Sequence, residues 1–348
     1  MYLLMPDLAI IALDAMGGDF GPEVVLPAAV QVIKKHKNVA IILVGDEVVL
    51  KAQAELSGID LNGILAGRIE IQHASQIVEM HDEPALAIRK KKDSSMRVAI
   101  DMVKDGRAQA AVSAGNTGAL MGTAKFVLKT LPGIDRPAIC TTIPSMTGHT
   151  HMLDLGANVD CSGENLCQFA IMGSVLAEAV DNIDRPRVGL LNIGSEAMKC
   201  NAMVKEADAL LANAPINYIG FVEGDDIYNG STDIVVCDGF VGNVSLKTSE
   251  GVAKMISHFM KEEFSKGLYN KIAAMIAMPV LKAFKKRIDP RAYNGASMLG
   301  LNGIVIKSHG GTDAFGFTRA IEIAVLEVEK SVPQHIRSRM EPLLEKAV

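Results

Sequence analysis

Short unbroken apolar runs take turns with longer stretches in which apolar residues recur every three to four positions. Ile10–Leu13, Val39–Val44, Ala108–Val112, Ala138–Ile143, His151–Leu155, Val188–Ile193, Asn217–Val222 and Asp233–Cys237 read as strands. Arg68–Ala74 alternates in polarity and reads as a more exposed strand. Helical spacing runs through Val24–Ile33, Glu47–Ser57, the stretch containing Val98, Ile100 and Met102, Gly163–Val180 and Asn243–Glu262. Gly295–Lys307 reads as one glycine-interrupted strand before a last helix through Ile321, Val325 and Val328. Periods of two and 3.6 in alternation are the mark of βαβ units. The expected fold is therefore α/β, an αβα sandwich with a mainly parallel sheet. No shift of composition divides the chain, so residues 1–348 are read as one large domain.

The polar punctuation falls where strands end. Ile10–Leu13 runs into Asp14-Ala15-Met16-Gly17-Gly18-Asp19, then Pro22 and Glu23, which suit a first helical turn. Ala108–Val112 runs into Ser113-Ala114-Gly115-Asn116-Thr117-Gly118, six residues without a bulky side chain. Further stripped-down ends are Asp154-Leu155-Gly156-Ala157-Asn158, Asn192-Ile193-Gly194-Ser195 before Lys199, Asp238–Asn243, and Ser308-His309-Gly310-Gly311. Glycine lets a backbone approach a ligand, and the N–H groups opening a helix favour anions. In an open parallel sheet such ends share one edge. Eight of them, near residues 13, 44, 112, 155, 193, 222, 237 and 307, predict a single cleft.

A formal charge of −5 argues against a general nucleic-acid binder. Aromatics are few and tryptophan is absent, as expected of small aliphatic strands packed by alanine-rich helices. The five cysteines form no CxxC pair and read as reduced thiols of a cytoplasmic protein, not as a disulfide frame or a zinc site. No metal and no cofactor are expected. The N-terminus lacks a basic leader region, and no run of about 18 apolar residues offers a membrane span.

Two charged segments stand apart. Arg89-Lys90-Lys91-Lys92 reads either as a solvated face or as a docking patch for an acidic macromolecule or substrate phosphate. Residues 264–287 form an amphipathic helical segment, with Leu268, Ile272, Met275, Ile276, Leu281 and Phe284 among its apolar residues and Lys or Arg at both ends. Pro279 is expected to kink or split it. The pattern suits either the interface of an anionic bilayer or the surface of a partner subunit.

Taken together, Asp14–Asp19, Ser113–Leu120, Asp154–Asn158 and Asp238–Asn243 closely resemble motifs of the bacterial phosphate acyltransferases of phospholipid synthesis, over about residues 8 to 330. The resemblance implies a fold like that of isocitrate and isopropylmalate dehydrogenases. It implies formation of acyl phosphate from inorganic phosphate and a long-chain acyl group on acyl carrier protein. It implies a homodimer in the cytoplasm, peripheral to the inner membrane, with an acyl-phosphate glycerol-3-phosphate acyltransferase acting downstream. The basic run at 89–92 then becomes a carrier-protein patch, and 264–287 a protruding membrane contact.

The chemistry so implied is attack of a phosphate oxygen on a thioester carbonyl. Gly17, Gly18, Ser113, Gly115, Asn116, Thr117 and Gly118 are the expected phosphate cradle, with Gly194 and Ser195 as further substrate contacts. Lys199 is expected to neutralise phosphate or polarise the thioester. Asn158 and Asn243 are the candidate oxyanion donors, and His309 the candidate acid for the leaving thiolate. Asp14, Asp19 and Asp238 are read as orienting Lys199 or capping loops, because bare carboxylates repel the substrate. Two other readings compete. An NAD-dependent decarboxylating dehydrogenase needs a cluster of arginines for its substrate and aspartates for a divalent metal, whereas arginine is sparse near the loops here and no GxGxxG follows a strand. A non-catalytic carrier-protein scaffold has no use for eight stripped strand ends.

Overall fold

The structure, a computed structural model, describes residues 8–61 and 67–345. Eleven strands form one sheet: β1 (Ala9–Asp14), β2 (Val39–Gly45), β3 (Ile69–His73), β4 (Ala110–Ser113), β5 (Ala138–Ser145), β6 (Gly148–Leu153), β7 (Arg187–Leu191), β8 (Asn217–Val222), β9 (Ile234–Val236), β10 (Ala296–Leu299) and β11 (Ile304–Lys307). Their order is β3-β2-β1-β4-β11-β10-β5-β6-β9-β7-β8. The helices that position the loops are α1 (Pro22–Lys35), α2 (Glu47–Leu56), α3 (Pro84–Lys90), α4 (Ser95–Lys104), α5 (Thr117–Leu128), α6 (Gly163–Val180), α7 (Ala202–Leu211), the short α8 (Asp226–Asn229), α9 (Gly239–Ser265), α10 (Gly267–Ile288), α11 (Ala314–Glu329) and α12 (Val332–Glu345). Buried apolar residues form one cluster around Ala12, Ile42, Leu120 and Met298, a second around Ile11, Leu26 and Phe317, and a third around Leu153, Phe169 and Leu190.

The strand ends do not share one edge. Gly295–Lys307 is not a single strand but two, β10 and β11, paired antiparallel around Gly300, whose φ of 89° suits glycine alone. β5 and β6 form a second antiparallel hairpin, and β10 pairs antiparallel with β5. These reversals turn β6, β7, β8 and β9 against β1, β2, β4 and β11. The register nevertheless brings both sets to one row. Leu43, Leu13, Val112, Ile306, Ser297, Cys140, Leu153, Val236, Leu190 and Phe221 lie side by side across the sheet. Each of the eight strands ends at that row or within two residues beyond it. The first set arrives from one side and the second from the other, so two groups of loops flank the row.

Helix α10 runs through Pro279, and the chain bends earlier, at extended Lys266 and left-handed Gly267 (φ 73°). The expected single segment is thus the second arm of a helical pair whose first arm is the end of α9. α10, described throughout, buries no residue.

The packing of α11 carries a testable consequence. Glu327 is buried, receives a hydrogen bond from Ser297 Oγ, and is pushed by burial from 4.5 up to about 7. Between those values the native state holds a proton that the unfolded chain has released, so stability falls as pH rises through the window. The full cost, reached above it, is about 3 kcal/mol. Glu327→Gln should therefore melt like the parent near pH ~5 and clearly above it near pH ~8. Parallel melting curves at both pH values would show that the carboxyl does not titrate there.

Candidate active site

The loops after β1, β4 and β11 close on one another. Asp14, at the end of β1, is buried and accepts from Gly17 N–H at 3.1 Å and from Ser113 Oγ at 2.6 Å. Ser113 Oγ in turn accepts from Gly115 N–H at 3.0 Å, and Asp19 N–H donates to Gly310 O at 3.0 Å. Three chain segments are thereby locked by one carboxylate, one hydroxyl and one backbone bond. Glycine is required at 17: a Cβ there would lie 2.3 Å from Asp14 Oδ2 and 3.0 Å from Gly115 N. Gly18, at φ 89°, lies against Ala114 and Gly310 O. Burial raises the Asp14 carboxyl above its usual range, against the hydrogen bonds that lower it.

Asn116 caps α5. Its Oδ1 accepts from Ala119 N–H at 3.0 Å, and its amide donates to Met80 O and Asp82 O. Thr117 and Gly118 follow as the exposed first residues of α5, where helical N–H groups have no partner within the helix. The helix dipole adds partial positive charge at the same place.

Sequence reasoning missed the cation of this cluster. Lys307 closes β11, and its Nζ donates to Ala114 O at 3.2 Å and to Ser308 O. Desolvation lowers it from 10.5 to about 8, opposed by the charges of Asp14 and Asp19. The signal was present as a lysine ending an all-apolar strand directly before Ser308-His309-Gly310-Gly311. His309 is pushed below its ordinary value by desolvation and by Lys247, so it is neutral at physiological pH. Gly311 N–H donates to His309 Nδ1 at 3.2 Å, which leaves the ring proton on Nε2 as a donor.

The second set of loops is braced differently. Asp154 accepts from the N–H groups of Ile139, Ala157 and Asn158, and from the Asn158 amide. That amide also donates to Pro137 O at 2.8 Å, so both its hydrogens serve the loop. Asp238 caps α9 through Phe240 and Val241 N–H. Asn243, one turn on, is exposed, with its amide 3.5 Å from Leu155 O. Lys199 pairs with Glu196 at 2.8 Å over Gly194, and Ser195 is exposed in the same turn. Of the two roles expected of the aspartates, orienting Lys199 or capping loops, Asp14 and Asp238 take the second, at Gly17 and at the start of α9, and the charges of Asp14 and Asp19 act on Lys307.

Helix α9 joins the two groups. It starts at the end of β9, and within about its first five turns its Lys247, Glu250 and Lys254 act on the charge of His309 beyond β11. Asn243 and Lys247 are one turn apart, about 6 Å along the axis. The arrangement is a set of braced, glycine-bearing loops around a partly enclosed ammonium, flanked by a helix that carries an exposed amide and further cations.

Of the basic run, Arg89, Lys90 and Lys92 are exposed, whereas Lys91 is tied to Asp82 and Ile77 O.

Residues 9–335 match the family described as fatty acid synthesis protein. The chain is 63% identical to the phosphate acyltransferase of Methylococcus capsulatus, over 95% of this chain and 96% of that one. It is 59% identical to the phosphate acyltransferase of Nitrosococcus oceani, over 96% and 97% of the two chains. Among solved structures, a phosphotransacetylase from Streptococcus pyogenes shares the fold with a TM-score of 0.64 at 16% identity, over 93% of this chain and 95% of that one. EutD phosphotransacetylase from Staphylococcus aureus gives 0.59 at 17%, over 92% and 94%. The chain belongs to the fatty acid synthesis protein family and is an enzyme of the phosphate acyltransferase group.

Proposed function

We propose that this enzyme makes acyl phosphate from inorganic phosphate and a long-chain acyl thioester of acyl carrier protein. The observation that carries the reading is the half-buried Lys307 ammonium set among the glycine-lined loops after β1, β4 and β11. A small dianion fits that setting, with Gly17, Gly18 and Gly115 holding the backbone open and the first turn of α5 donating at Thr117 and Gly118. Phosphate oxygen attacks the thioester carbonyl, the C–O bond forms, and collapse of the tetrahedral species breaks the C–S bond. The thiolate leaves with the carrier and takes its proton from solvent or from His309 Nε2. In this reading Asn243 donates to the oxyanion, while Asn158 holds its loop. Lys199, with Gly194 and Ser195, approaches from the second set of loops as a polarising cation. Positioning alone supplies up to roughly 7–11 kcal/mol in reactions of this kind.

The partners follow from the same chemistry. Arg89, Lys90 and Lys92 offer an acidic carrier an exposed cationic surface beside α3. An acyl phosphate is apolar at one end and easily hydrolysed, so release beside a membrane, to a downstream glycerol-3-phosphate acyltransferase, suits it. The enzyme is read as a cytoplasmic homodimer resting on the inner membrane. Among the described residues no helix is long and apolar enough to cross a bilayer.

Incubation with palmitoyl carrier protein and labelled phosphate tests the reading. Acyl phosphate and free carrier thiol should appear in equal amounts; free fatty acid alone, or no thiol, would refute it. Reversing Arg89 and Lys90 to glutamate should raise the KM for the carrier and flatten its salt dependence, with kcat kept. An unchanged KM would reduce the patch to a solvated face.

A further inference from the structure

Far from the cradle, on the other half of the sheet, three ligand atoms converge. His149 and His151 are two apart on β6, so both rings leave the same face of the strand. Their Nε2 atoms lie 3.1 Å and 2.6 Å from one oxygen, Asp181 Oδ2. The rings meet edge to face, with centroids 5.2 Å apart, so they point at the carboxylate without stacking. All three ligand atoms lie within 4.8 Å of one another.

Each ligand is set on regular structure. His151 is nearly buried, and its backbone N–H is held by Asp233 O at 2.8 Å. Asp181 closes α6, its N–H bonded to Ala177 O. His149 is about a third exposed and gives the cluster its opening to solvent. Behind His151, Cys140 Sγ lies 3.9 Å from Nδ1, on the side away from Asp181. That thiol is buried and sits behind the ligands, not among them.

We propose that His149, His151 and Asp181 form a binding site for a divalent transition-metal ion of the zinc class, with the fourth position open to water. Two imidazole nitrogens and one carboxylate oxygen are the donor set such ions take. Zinc bonds of about 2.0–2.1 Å place tetrahedral ligands roughly 3.3 Å apart. The present contacts of 2.6 and 3.1 Å need only open by a few tenths of an ångström or more. Metal in place of N–H puts the ring proton of His151 on Nδ1, facing the Cys140 sulfur. The ion would clasp the end of α6 to the start of β6, the strand of the hairpin that reverses the sheet. Nothing in the proposed acyl transfer passes through it. The sequence hid the site because Asp181 is some thirty residues from the pair and the spacing His-x-His alone is common on strands.

The test uses untagged full-length protein stripped with a chelator, titrated with Co²⁺ and then with Zn²⁺. One Co²⁺ per chain should bind with the visible absorption of a tetrahedral site and no thiolate-to-cobalt band, and Zn²⁺ should displace it and raise the Tm. His149→Ala, at an exposed position, and Asp181→Asn should each weaken Co²⁺ binding at least tenfold and abolish the Tm gain. Circular dichroism of each variant without metal checks that it folds. Absence of the spectrum at millimolar Co²⁺, a thiolate band, or equal affinity in a folded His149→Ala variant would each overturn the assignment.

Discussion

Lys307→Met is expected to lower the rate of acyl-phosphate formation about a hundredfold or more while leaving the Tm equal or higher. The two halves have separate causes. The Lys307 ammonium lies among the loops after β1, β4 and β11, where a phosphate dianion meets little competing solvent. A preorganised donor in such a place is typically worth 10²–10³ in rate. Stability moves the other way because the native state lowers Lys307 from 10.5 to about 8. Below about 8 the fold carries a charge that the unfolded chain holds more comfortably, and that cost fades as pH rises toward 10.5. Methionine keeps the length and removes the charge. The same group sets the pH dependence: kcat/KM for phosphate should fall as pH rises through about 8, because only the protonated amine attracts the dianion. Lys199→Ala is the companion measurement. Its ammonium is half exposed and paired with Glu196, so a drop near tenfold is expected, with the limb at about 8 set by Lys307 retained. Full activity of Lys307→Met would remove the cation from the cradle and, with it, the best support for phosphate binding there.

The contrast between the two lysines shows what could be read from the chain. Helix α6 was legible to the residue, Gly163–Val180, because its apolar period is unbroken and Ser162 with Asn165 makes a reciprocal cap. The loops at 14–19 and 113–118 were legible because glycine and small polar residues there have no other use at the end of a buried strand. The direction of the strands was not. It depends on Gly300 turning the chain within what looks like one strand, and on a two-residue turn, Met146-Thr147, between β5 and β6. Both are short-range events with weak local signals, and together they reverse half the sheet. Lys199 stood out because it follows a small-residue loop. Lys307 did not, because it is the last residue of the strand, ahead of the loop, and its enclosure is made by Ala114 and Ser308 from outside that strand's own run. Glu327 was hidden similarly: a glutamate on a helix is ordinarily solvated, and only packing against β10 buries it beside Ser297. Sequence periodicity reports which face is apolar, whereas the fate of a single charge is decided by an element far away in the chain.

Replacing Met275 and Ile276 with glutamate should abolish flotation of the protein with anionic liposomes while leaving acyl-phosphate formation from soluble carrier intact. Leu268, Met275 and Ile276 are about three-quarters exposed, and Ile272 and Phe284 nearly half, while Leu281 is more enclosed. A groove of about 500 Å³ between the two arms, lined by Ile256, Phe259, Met260 and Phe264, adds further accessible apolar surface to the pair. Each large aliphatic moved from water into an acyl layer contributes about 1.5–3 kcal/mol. Lys271, Lys282, Lys285, Lys286 and Arg287 flank the stripe, and a cation near an anionic surface adds about 1 kcal/mol. Two glutamates remove two apolar anchors and set two anions against the same surface, which is why the effect should be close to complete. Removal of Phe264–Phe284 should act alike, and raised salt should weaken parent flotation without ending it, since the apolar part is not screened. A second copy of the chain is the competing occupant of this face. Sedimentation of the glutamate variant separates the two: unchanged flotation together with loss of the dimer would assign the hairpin to the subunit interface and leave membrane contact without support.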